Sequence, residues 1–334
     1  MPADATQQAT QDQPKRHLAG RYLALTGGVG GAKLALGLSK LLPPEQLSFA
    51  VNVGDDFDHM GLHICPDLDT LLYTLADESN PDTGWGRRDE TWAFMAAVRE
   101  LGGPDWFNLG DRDLAVHVQR TRDLREGKSL TTAMANLAKA FGVPYALLPG
   151  SDDPVRTMVD TDEGELPFQH YFVRRRCQPA VRGIRFAGAD QARLNPAIAA
   201  QLEDPALNGV IICPSNPYLS VDPLLAIPEL AERLAAVSCP VVAVSPIVAG
   251  QALKGPTAKL MQELQVPATA DAVAEHYRGI ANAFVLDDQD AALAPAVAAL
   301  GLHPSVAQSV MVTLQDRVDL AQHVLDVIRE LQRA

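Results

Sequence analysis

The apolar run Tyr22-Leu23-Ala24-Leu25-Thr26 passes directly into Gly27-Gly28-Val29-Gly30-Gly31-Ala32-Lys33, and then into the helical pattern Leu34-Ala35-Leu36-Gly37-Leu38. A buried strand that turns into a helix through glycines leaves unpaired N–H groups at the helix start. Those donors and the helix dipole both favour an anion there. Residues without Cβ also let a diphosphate approach the backbone, which places Gly28, Gly30, Gly31 and Lys33 among the candidate substrate contacts. The stretch departs from both common nucleotide fingerprints. Ala32 and Leu34 flank the lysine where a P-loop needs Gly and Ser or Thr, and Lys33 stands where the dinucleotide motif needs a third glycine. A phosphate loop and a ligand-free tight turn are both consistent with these letters.

Apolar β-type runs alternate with helical patterns along the chain, which argues for a parallel sheet covered on both faces. The pattern predicts strands over 22–26, 47–53, 209–213, 240–244 and 283–286, with a possible last strand over 309–314. Helices are expected over 31–41, 67–76, 88–101, 111–124, 130–141 and 317–333. Residues 145–187 look strand-like, including Gln169-His170-Tyr171-Phe172-Val173-Arg174. The expected architecture is a Rossmann-like, mostly parallel α/β sheet with helices on both faces. A helical insertion over about 66–142 covers the substrate cleft, within one domain over 21–334, and the polar stretch 1–20 reads as a disordered tail. Trp85, Trp92 and Trp106 fall inside the insertion, where they line a planar ligand or pack helices.

Charge narrows the function. Lys and Arg total 28 against 41 Asp and Glu, a net charge of −13. General nucleic-acid or anionic-membrane binding needs a basic surface and is not expected. Cys65, Cys177, Cys213 and Cys239 show no CxxC spacing, and no apolar stretch reaches membrane-spanning length, so a cytoplasmic protein is expected.

Chemistry-bearing residues gather where strands end. Asp55 and Asp56 follow the second strand, and Asp67 and Asp69 open the next helix. Such acids cap helices; as a set of four beside a phosphate loop they suit a hard cation such as Mg²⁺, which takes carboxylates together with phosphate oxygens. Leu109-Gly110-Asp111-Arg112-Asp113 is another glycine turn opening a helix, with Arg112 the candidate for a phosphate. Asp113, His117 and Arg120 share one face of that helix, which suits a solvated ion-pair face equally well. Ser215 and Asn216 stand between two prolines after a strand, suited equally to a ribose or purine edge and to a plain turn, and Lys254 is a further phosphate candidate.

These motifs resemble the 2-phospho-lactate transferase family of deazaflavin coenzyme F-420 biosynthesis. The matching stretches, in order, are Gly27-Gly28-Val29-Gly30-Gly31-Ala32-Lys33-Leu34, Asn52-Val53-Gly54-Asp55-Asp56, Pro66-Asp67-Leu68-Asp69-Thr70, Leu109-Gly110-Asp111-Arg112-Asp113, Ser151-Asp152-Asp153-Pro154-Val155, Pro214-Ser215-Asn216-Pro217 and Ser245-Pro246-Ile247. The resemblance implies a guanosine diphosphate ester of a phospho-three-carbon acid as donor and the deazaflavin Fo as acceptor. The ribityl 5′-hydroxyl attacks the phosphorus bearing the acid and GMP leaves, with Mg²⁺ as cofactor and a homodimer as the assembly. It associates Asp69 with Fo and puts a second Fo contact at Asn108; Asp111 is a further candidate substrate contact. Asp56, Asp69 and Arg112 are the candidate catalytic residues, with Asp56 or Asp69 as general base; Asp55, Asp56, Asp67 and Asp69 are the candidate metal ligands. The alternative is a non-catalytic regulator that binds nucleotide sugars, similar to the gluconeogenesis-factor family. A nicotinamide-dependent oxidoreductase is a more distant alternative, since Lys33 interrupts its fingerprint.

Overall fold

The apolar runs do become parallel strands, and the order in which they pair creates the cleft. A computed structural model describes residues 20–82, 84–252 and 255–333. Strands in chain order are β1 (Arg21–Thr26), β2 (Leu47–Val51), β3 (Phe57–His59), β4 (Leu62–Ile64), β5 (Ala146–Pro149), β6 (Arg156–Thr161) and β7 (Gly164–Pro167). They continue as β8 (Val181–Ala187), β9 (Leu207–Ile212), β10 (Val241–Val244), β11 (Ile247–Val248), β12 (Gln251–Ala252), β13 (Ala283–Leu286) and β14 (His303–Val306). The central sheet has seven strands in the order β14-β13-β10-β9-β1-β2-β5. Every pairing in it is parallel. Parallel strands need both faces covered, and β1, β2, β10 and β13 are accordingly apolar along nearly their whole length.

Chain order reverses between β1 and β9: β1 is followed by β2 on one side, while β9 and its successors lie on the other. The connections there leave in opposite directions and open a crevice beyond the carboxyl ends of the strands, where ligands of open α/β sheets bind. Helix α1 (Gly28–Leu41) starts at this point. Helices α2 (Pro66–Leu75), α3 (Ala93–Glu100), α4 (Asp111–Arg125) and α5 (Leu130–Ala140) follow, after the β3–β4 hairpin and before β5. A second, antiparallel sheet has the order β7-β6-β8. Among the described residues no helix is long and apolar enough to cross a membrane.

Four local expectations are corrected. The first helix begins at Gly28 rather than residue 31, because Gly28 itself adopts φ +63° and lets the chain turn at once. The helix expected over 88–101 shortens to Ala93–Glu100. Gly84, Gly86 and Asp89 all take positive φ before it, and Ser79 bridges Arg87, so the preceding chain is looped. His170–Arg174 is a single π-turn rather than a strand, with only Tyr171 buried. The last strand is β14, and residues 309–313 are irregular. Ser309 instead donates to Asp287, and Thr313 makes a reciprocal cap with Asp316 at the start of the C-terminal helix Leu314–Leu331. The tail 1–19, part of the expected disordered segment, lies outside the described residues.

The C-terminal helix packs on α1 through a backbone approach at Gly37, where a Cβ would sit 2.0 Å from the Arg317 carbonyl oxygen. Gly37→Ala is expected to cost about 1–3 kcal/mol in a denaturant titration, because backbone cannot yield as a side chain does. Gly183→Ala, with nothing within 4 Å of the added carbon, is the control and should unfold close to the parent.

Candidate active site

At the carboxyl ends of β1, β2 and β9, three loops are tied together by side chains rather than by sheet bonds. Ser215 Oγ accepts from the Gly27 amide at 3.2 Å, joining the end of β9 to the end of β1. The two segments touch so closely that a Cβ on Gly30 would lie 2.4 Å from the Pro214 carbonyl oxygen. A Cβ on Gly31 would meet Thr26 Oγ1 at 2.3 Å and Ser215 Oγ at 2.5 Å. Those two glycines are thus required by packing between α1 and its neighbours, whatever else they contact. Asn216 caps the π-turn that follows, its Oδ1 accepting from the Tyr218 and Leu219 amides.

Asp67 and Asn52 are the centre of the arrangement. Asp67 Oδ1 accepts from the Gly28 amide at 2.8 Å and its Oδ2 accepts from Asn52 Nδ2 at 2.9 Å. Asn52, fully buried, also donates to Asp55 Oδ1 at 3.2 Å and to the Leu219 carbonyl at 3.1 Å, and accepts from the Gly54 amide. Burial pushes the Asp67 carboxyl up to about 6, against the hydrogen bonds from Asn52 and Gly28. Burial and the neighbouring Asp67 push Asp55 well above the usual range. Among the described residues no cationic side chain lies within 4.0 Å of either carboxylate. The pair is therefore two hard oxygen donors beside an α-helix N-terminus, held by neutral amides. Asn52 is a position that residue-type reasoning passes over, since it titrates nothing and its bonds to Asp67 and Leu219 form only on folding.

The other two aspartates go elsewhere. Asp56 is 2% exposed and turns toward His63, whose Nε2 lies 3.7 Å from its Oδ2. Asp69 is gripped by the buried guanidinium of Arg120, which donates to both of its oxygens, at 3.1 Å to Oδ2. His117 Nδ1 stands 3.6 Å from the same carboxylate and His117 Nε2 3.3 Å from Asp113, to which Tyr73 donates. Burial pushes the Asp69 carboxyl up despite Arg120 and His117. The face of α4 bearing His117 and Arg120 is thus buried against α2 rather than solvated.

Several expected contacts have other partners. Lys33 Nζ donates to the Met311 carbonyl at 2.8 Å. Asp111 caps α3, accepting from the Ala93 and Phe94 amides at 3.0 Å. Arg112 donates to the Arg88 carbonyl at 3.1 Å and lies 3.8 Å from Glu78. Asn108 accepts from Arg99 at 2.7 Å. Lys254 lies outside the described residues. Trp106 packs edge-on against His170 and His59, whereas Trp85 and Trp92 are 56% and 48% exposed. Gly84, beside Trp85, reaches the first turn of α1, its Cβ position falling 2.9 Å from Val29.

The family model for the 2-phospho-L-lactate transferase CofD matches residues 23–327. The chain belongs to the CofD family. It is 36% identical over 303 residues to a 2-phospho-L-lactate transferase of Methanosarcina mazei, covering 91% of this chain and 99% of that one. A phosphoenolpyruvate transferase of Kitasatospora aureofaciens is 36% identical over 319 residues, covering 93% and 99%. Another phosphoenolpyruvate transferase, from Mycolicibacterium smegmatis, is 39% identical over 283 residues, covering 80% and 86%. Among solved structures, a UPF0052 family member from Bacillus halodurans superposes with a TM-score of 0.61 at 14% identity, covering 92% of this chain and 99% of that one, a likeness of fold. In this CofD protein the Asp69–Arg120 pair makes a sharp prediction. Arg120→Ala strands a buried carboxylate and should cost about 3–5 kcal/mol in a denaturant unfolding titration. A loss below about 1 kcal/mol would mean that Asp69 finds another partner.

Proposed function

We propose that this chain transfers a phospho-three-carbon-acid group from its guanosine diphosphate ester to the ribityl 5′-hydroxyl of the deazaflavin Fo, releasing GMP, in coenzyme F-420 biosynthesis. The observation that carries the reading is the family match over residues 23–327, in a chain whose relatives are named for transfer of phospho-lactate or phosphoenolpyruvate. The acid on the donor is thus lactyl, enolpyruvyl or a close variant such as glyceryl. The working form is proposed to be a cytoplasmic homodimer.

Transfer at phosphorus depends on positioning and on neutralising charge more than on covalent help from the protein. The first turn of α1 offers backbone donors for the donor's diphosphate at the point where the sheet order reverses. Asp55 and Asp67 fit a divalent cation: both are buried, both are oxygen donors, and Asp67 raises the cost of charge on Asp55. Mg²⁺ held there would neutralise negative charge on the diphosphate. Asp69 is set apart from that pair: Arg120 donates to both of its oxygens, and its carboxylate lies within 4.8 Å of ligand atoms of Asp113 and His117. We assign it to the acceptor side, where the carboxylate would hold the Fo hydroxyl and take its proton, with Arg120 as the positioning residue. Trp85 and Trp92, both exposed, would supply apolar faces to a planar ring.

Purified protein with Mg²⁺, Fo and each guanylated donor in competition should release GMP, and mass spectrometry should find an Fo phosphodiester carrying one preferred acid. Binding of both substrates without GMP from any donor would instead favour a regulator. Asp67→Asn can still accept from Gly28 but sets an amide nitrogen against Asn52 Nδ2, so its thermal unfolding is measured alongside turnover. Turnover should fall about 10²–10³-fold, as it does when one electrostatic contact to the transition state is lost. Asp69→Asn should raise KM for Fo as well as lowering kcat.

A further inference from the structure

Asp56, His63 and Cys65 stand apart from the Asp55–Asp67 pair and from the Arg120 network. A carboxylate oxygen, an imidazole nitrogen and a thiol sulfur from these three lie within 4.8 Å of one another. They come from the loop after β2, from β4, and from the residue preceding α2, so the fold and not sequence proximity alone sets their spacing. Asp56 is 2% and Cys65 0% exposed, and Asp56 Oδ1 is buried without a hydrogen-bond partner.

The imidazole is oriented from behind. His63 Nδ1 lies 3.1 Å from Asp58 Oδ1, and the His63 amide donates to Thr121 Oγ1 at 2.8 Å. In the neutral tautomer whose Nδ1–H donates to Asp58, the Nε2 lone pair faces Asp56 Oδ2 at 3.7 Å. Two acceptors facing each other call for a cation between them, either a proton or a metal. A carboxylate behind a histidine is also the usual support of a metal-bound imidazole. A cavity of about 200 Å³ reaches the cluster, lined by Asp56, His63, Ser151, Asp152, Asp153 and Arg156. It offers an entry path and room for water.

We propose that Asp56, His63 and Cys65 form a site for one borderline divalent transition metal of the Zn²⁺ or Co²⁺ class, with water from the cavity completing the coordination. The mixed oxygen, nitrogen and sulfur set suits such ions, whereas Mg²⁺ takes oxygen ligands. Burial holds the Cys65 thiol in its protonated form in the free protein, and the nearby Arg120 charge works against that effect. The arriving ion displaces that proton to solvent. The bound metal cross-links the β2 loop, the hairpin and the start of α2, the same backbone that carries Asp55 and Asp67.

Cobalt titration of the chelator-treated, reduced full-length protein tests this. One equivalent should give a thiolate-to-cobalt charge-transfer band, removed by Zn²⁺ and unaffected by excess Mg²⁺. Cys65→Ser should abolish the band, and Asp67→Asn, altered at the proposed Mg²⁺ position, should retain it. Asp58 is largely exposed, so Asp58→Asn leaves the core intact and should weaken cobalt binding about 10–100-fold. No band in the parent, a band surviving in Cys65→Ser, displacement by Mg²⁺, or unchanged affinity in Asp58→Asn would each overturn the proposal.

Discussion

Asp67 is a carboxylate taken out of water and given two amide donors in place of a counter-ion: the backbone of Gly28 and the side chain of Asn52. Burying a carboxylate costs several kcal/mol unless its oxygens are satisfied, so the Asp67 position dictates what surrounds it. Gly27 cannot carry a Cβ, since that carbon would lie 2.5 Å from Asp67 Oδ2. Asn52 must reach across from the end of β2, and in doing so it fixes Asp55 and the Leu219 carbonyl as well. One buried acid thus holds together the ends of β1 and β2 and the turn after β9, at the point where the parallel sheet reverses its order.

That point explains the organisation of the rest. The crevice exists because β1 has its successor on one side and β9 on the other. Helix α1 is pressed into it from the front by Pro214 against Gly30, and from behind by the C-terminal helix against Gly37. Helices α2 and α4 then build a second buried layer, in which Arg120 crosses to Asp69 and His117 links Asp69 to Asp113. Four aspartates close in sequence are therefore divided among three environments: Asp55 and Asp67 beside the α1 N-terminus, Asp56 with His63 and Cys65, Asp69 with Arg120. In the proposed reaction this division would separate charge neutralisation from acceptor placement.

Much of the sheet was legible in the sequence because buried parallel strands are continuous apolar runs, as at 22–26, 209–213 and 283–286. The π-turn at His170–Arg174 was not, since its β-type letters lack a strand partner and only folding reveals that. Ser309 to Leu314 reads as apolar too, yet Asp287 and the helix cap at Thr313 claim its polar groups. The site was legible as a set of motifs and illegible as a set of contacts. Asp111 opens α4 in the letters, but its carboxylate serves α3, seventeen residues upstream. The pairing of Asp69 with Arg120 spans fifty-one residues and joins two helices whose approach no local pattern records.

The claim on which the account rests is that the donor's diphosphate and its cation sit between the first turn of α1 and the Asp55–Asp67 pair. The most direct measurement is a crystal structure with GDP and Mn²⁺, the ion located by its anomalous signal. Phosphate oxygens are expected on the amides of the α1 first turn, with a manganese peak touching Asp55 or Asp67. Phosphates bound away from α1, or a nucleotide-bound ion resting only on the Asp69–Asp113–His117 group, would contradict it.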